Sequence, residues 1–111
     1  MEILCIFLYE NRYLEDFMDV LIEEGVEDLL VAEAQELKEF LAFRMPLFKE
    51  FRTSLGGRRK EPKLILALVK DEGTIGKMVK AWKKDMELDK DEIAAIFSLP
   101  VRLWQKSPHF Y

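Results

Sequence analysis

The chain has 111 residues, 50% hydrophobic and 34% charged, which suits one globular domain with a modest core. A net charge of −4 and a pI near 5.1 argue against a general nucleic-acid binder. Its one cysteine cannot form an internal disulfide, so a reducing cytoplasm is the expected compartment.

The first apolar run, Ile3 to Leu8, is too short for a membrane span and has neither the basic start nor the small-residue end of a targeting segment. It reads as a strand with two apolar faces: Ile3, Cys5 and Phe7 point one way, Leu4, Ile6 and Leu8 the other. Leu14, Phe17, Met18, Leu21 and Ile22 then recur at helical spacing, with Asn11 as the expected cap and Gly25 as the stop. Leu29 to about Gln35 reads as a second strand and Lys63 to Lys70 as a third, again apolar on both faces. After Asp71-Glu72-Gly73-Thr74 a second helix carries Ile75, Met78, Val79, Trp82 and Met86 on one stripe, and a fourth strand is expected from about Glu92 to Phe97. The expected fold is α+β: a ferredoxin-like βαββαβ chain whose four-stranded antiparallel sheet has both helices on one face.

Two helices can cover only one face of that sheet. The other face would carry a larger apolar patch than a monomer usually exposes, and self-association is the expected remedy. Fold-back of the C-terminal tail over its own sheet is the alternative.

Between the second and third strands lies a long insertion, 36–62, partly helical by its pattern. Basic residues concentrate here: from Glu36 to Lys63 there are eight basic and four acidic residues, against nine and seventeen in the remainder. From Pro46, the spacing of Leu47, Phe48, Phe51 and Leu55 fits a helix ended by Gly56, with Lys49, Glu50 and Arg52 on its other side. Two readings stay open: a protein-partner element carried by Phe48, Phe51 and Arg52, or a helical elaboration packing on a neighbouring subunit. The cluster Arg58-Arg59-Lys60 after two glycines suits an anion or an acidic surface.

Other chemistry is thin. Cys5 sits in the most apolar strand, and His109, the only histidine, lies far away in the tail. Trp82 continues the apolar stripe of the second helix and reads as core. Trp104 is expected at a subunit contact. Asp85 to Glu92 holds five acids and one base but no glycine for a sharp metal-binding turn, so it reads as a solvated helix end.

The run Ile96-Phe97-Ser98-Leu99-Pro100-Val101 resembles the IFxxPV run that ends the core of PII signal-transduction proteins, and Lys63 to Glu72 resembles that family's third strand and second-helix start. The resemblance implies a single PII-like domain over 1–111, a homotrimer, 36–62 in the place of the partner-binding T-loop, and a small anionic effector between subunits. It does not carry ATP binding across unchanged. The family's TGxxGDGK turn, whose amides and lysine meet the phosphates, is replaced here by acids ending in Glu92-Ile93-Ala94-Ala95. The T-loop glutamine has no counterpart, and Arg58, Arg59, Lys60 and Lys106 are the substitutes for the missing lysine. No cofactor is specified. A sensor or interaction module without catalysis is the expected function, with a protein partner, no nucleic acid and no membrane span. A CutA-like divalent-metal-binding protein, of the same fold, is the alternative, although the chain lacks a CutA signature.

Overall fold

A computed structural model describes residues 1–35, 62–88 and 92–107. In chain order the elements are β1 (Glu2–Leu8), α1 (Leu14–Glu23), β2 (Leu29–Glu33), β3 (Lys63–Val69), α2 (Glu72–Met86) and β4 (Ala94–Pro100). The strands form one antiparallel sheet in the order β2-β3-β1-β4, the expected ferredoxin-like arrangement.

Both helices lie on the face presented by Leu4, Ile6 and Leu8 of β1 and by Ile65, Ala67 and Val69 of β3, all buried. Phe17 and Leu21 of α1 and Ile75, Met78, Trp82 and Met86 of α2 complete this core. The Phe17 and Trp82 rings meet at 4.9 Å, tilted by 55°, and tie the two helices together. Trp82 is therefore core, as its place on the stripe requires.

The ends of the elements follow backbone chemistry. Asp71 caps α2, its carboxylate accepting from the Thr74 backbone N–H at 2.7 Å and from the Thr74 hydroxyl at 2.9 Å. Both bonds favour the ionised form, and together they hold this carboxyl below its ordinary pKa. At the end of α1, Val26 N–H donates to the Leu21 carbonyl at 3.1 Å and Gly25 N–H to that of Ile22 at 3.0 Å. This paired closure places Gly25 at φ 78°, where a side chain is disfavoured.

Three boundaries differ from expectation. Asn11 opens a 3-10 turn, Asn11–Tyr13, and the helix proper begins after Tyr13 with no side-chain cap bond; Glu15 and Asp16 favour that end through the helix dipole. β2 stops at Glu33, the last residue paired with β3. β4 is set by its partner: β1 pairs from Glu2↔Pro100 to Leu8↔Ala94, so β4 starts later and runs further than local pattern suggested. Pro100, which cannot donate a ladder bond, falls at the strand's end. Among the described residues, no helix is long and apolar enough to cross a membrane.

Candidate functional site

Strand alternation places a second apolar surface on the sheet's other face. Cys5 lies across from Leu66 on one side and Phe97 on the other; Phe7 is flanked by Leu64 and Ala95, and Ile3 by Leu68 and Leu99. Leu30 of β2 continues the row beyond Leu66. Much of this surface is wet: Phe7 is 42% exposed, Phe97 41%, Leu99 52% and Leu30 69%. Phe7 and Phe97 meet edge to face, centroids 5.2 Å apart at 84°, so the patch is an ordered aromatic and aliphatic surface. No described helix covers it.

A cleft opens at each end of this face. One, of about 470 Å³, lies beside the start of the 36–62 connection, between Phe7, Tyr9, Leu64, Pro62, Lys63 and Gln35. The buried Gln35 Nε2 finds no partner among the described residues. The two ends of the connection are drawn together there: Ala34 N–H donates to the Pro62 carbonyl at 2.9 Å, and Lys63 Nζ sits 3.1 Å from Glu33 Oε1.

The other cleft, of about 350 Å³, lies between Ile3, Leu30, Leu66, Leu68 and Trp104, with Glu27 and Asp28 on its rim. Trp104 reaches it because the chain turns back after β4. Val101 N–H donates to the Met1 carbonyl at 3.0 Å, and Lys106 Nζ forms an ion pair with Asp28 Oδ1. The tail fold-back that stood as the alternative to self-association thus occurs, but it covers one end of the face only. Trp104 remains 48% exposed.

Of the anticipated site residues, Lys106 alone falls within the described residues, where it is paired with Asp28. Arg58, Arg59, Lys60, Phe48, Phe51 and Arg52 lie outside them, as do His109 and the middle of the acidic turn. Among the described residues no three His, Cys, Asp or Glu side chains gather as a metal site would require. Cys5 is 7% exposed, and desolvation pushes its thiol pKa up, away from the nucleophilic thiolate. Asp28 and Gln35 gave no sequence signal: neither belongs to a motif, and the partner of Asp28 is distant in the chain.

No family model and no curated protein matches this chain. A solved structure does: that of CPII bound to ADP, AMP and acetate, from Thiomonas intermedia K12, with a TM-score of 0.56 and 16% identity over 87% of this chain and 81% of that one. At that identity the likeness is one of fold. The chain has the PII-like fold that its IFxxPV run suggested.

Proposed function

We propose that the chain is a non-catalytic, cytoplasmic regulatory module of PII type. It forms a homotrimer through the open sheet face, takes a small anionic effector in clefts between subunits, and presents the 36–62 insertion to a protein partner. The observation that carries this reading is the exposed apolar face, on which Phe7, Phe97, Leu99 and Leu30 stay wet in the single chain. A surface of that character calls for a lid, and three copies of one sheet supply it for each other by symmetry.

The clefts at either end of the face become inter-subunit spaces in such an assembly. Two described cations stand by these spaces: Lys63, which lines the first cleft and is paired with Glu33, and Lys106, paired with Asp28 at the second. Adenine nucleotides are the first probes, because the similar CPII structure contains ADP and AMP. Binding of Mg-ATP no tighter than roughly millimolar, about −4 kcal/mol, is expected, since acids replace the phosphate-binding turn.

The test has two arms. Light scattering during size exclusion gives about three times the 13.1 kDa chain mass if the reading holds. Thermal shifts with ADP, AMP, ATP and cyclic nucleotides identify the effector class. A stable monomer that responds to no nucleotide overturns the proposal, and a shift with divalent metal alone favours the CutA-like alternative.

A further inference from the structure

We infer that the C-terminal segment 101–107 is a removable cap on the open sheet face, and that capping and self-association compete for the same surface. The inference rests on the proposed use of that face for assembly. In the order β2-β3-β1-β4 the segment leaves the β4 edge. It is pinned to the start of β1 by the Val101 to Met1 bond and ends at Asp28, just before β2. It therefore spans the width of the sheet. Of its two large apolar side chains, Leu103 is 84% exposed, whereas Trp104 lies against Ile3, Leu30, Leu66 and Leu68.

Coverage along that path is partial. Ile3, Leu66 and Leu68 are half-buried, Leu30 stays 69% exposed although it lines the Trp104 cleft, and Phe7, Phe97 and Leu99, which do not line it, are exposed as well. A second copy laid on this face must displace the indole before it can pack on Ile3, Leu66 and Leu68.

The fastening is weak enough to be displaced. The Lys106 and Asp28 side chains are 48% and 36% exposed, and an ion pair that wet holds weakly and is screened by salt. The indole is not close-packed, since the cleft of about 350 Å³ stays open beside it. No helix or strand stiffens residues 101–107. An anion that draws Lys106 away from Asp28 would release the cap, which joins effector binding to assembly through a single cation.

Sedimentation velocity over a concentration series, on the full chain, tests this with three variants: Trp104→Ala, Lys106→Glu, and the exchanged pair Asp28→Lys with Lys106→Glu. Trp104→Ala and Lys106→Glu are expected to lower the concentration at half-association at least tenfold, about 1.4 kcal/mol, and the exchanged pair to return it toward wild type. Acrylamide quenching of Trp104, taken as wild-type minus Trp104→Ala fluorescence, should rise in Lys106→Glu and fall again in the exchanged pair. Weakened or unchanged association in Trp104→Ala overturns the inference, the weakened case placing Trp104 inside the interface. If wild type and every variant stay monomeric, the assembly reading fails with it; if an oligomer forms and the variants fail to tighten it, only the cap fails.

Discussion

Phe97→Glu separates a buried interface from an exposed surface more sharply than any other single change. In the isolated subunit the ring is 41% exposed, and its main specific contact is the edge-to-face pair with Phe7. Losing that pair costs about 0.5–1.5 kcal/mol beyond area terms, so the dilute subunit should stay folded. In the proposed assembly the balance would reverse. Full burial of a Phe or Leu side chain is worth roughly 1.5–3 kcal/mol, and about half of the Phe7, Phe97, Leu99 and Leu30 surface is still available, which gives about 3–6 kcal/mol per subunit. Glutamate forfeits about 1 kcal/mol of this gain and leaves an unpaired carboxylate in the seam at a cost of several more. The sum corresponds to at least a thousandfold weaker association, at about 1.4 kcal/mol per factor of ten. Light scattering across a dilution series, with circular dichroism of the same samples, measures both quantities. A Phe97→Glu protein that associates as wild type does would refute the assignment of this face to assembly. A variant that unfolds as a dilute monomer would show instead that the chain closes its own face.

The Asp71 cap makes a pH-dependent contribution. Because its folded pKa lies below the ordinary 3.8, the stabilisation is complete above that value and is lost as the pH falls through the depressed one. The melting-temperature gap between wild type and Asp71→Ala should therefore be constant near neutrality and close in strong acid; a gap that widens on acidification contradicts the cap. Gly25→Ala meets no atom within 4 Å but inherits φ 78°, so chemical denaturation should show a loss of about 1 kcal/mol from backbone strain alone. Cys5 should react with a thiol reagent far more slowly than a free thiol in the native protein and at the free rate in denaturant. Faster labelling in Phe97→Glu than in wild type is expected, because Cys5 is the cross-strand neighbour of Phe97.

Much of this fold can be read from local pattern. The doubly apolar runs Ile3–Leu8 and Leu64–Val69 announce strands covered on both sides, and the helical spacing of Phe17 and Leu21 and of Ile75, Met78, Trp82 and Met86 selects the faces that reach the core. Pattern cannot say which strand face the helices take, because Leu4-Ile6-Leu8 and Ile3-Cys5-Phe7 are equally apolar. Packing decides, and leaves the second set for the open face. The boundaries of β4 were hidden for a related reason: they are fixed by register with β1, a strand at the far end of the chain. The Lys106–Asp28 pair joins residues 78 apart, and no local signal marks either member. By sequence Lys106 is only a spare cation; the fold supplies its carboxylate partner.

The closure at Ala34, Pro62, Glu33 and Lys63 has an evolutionary consequence. The backbone bond and the ion pair hold both ends of the β2–β3 connection at one point of the sheet. Closing the sheet asks that these two ends meet, and the entropy of closure grows only logarithmically with the length between them: doubling it adds about 0.6 kcal/mol. As long as the clasp is kept, the length of the connection can therefore drift over evolutionary time at little closure cost to the sheet.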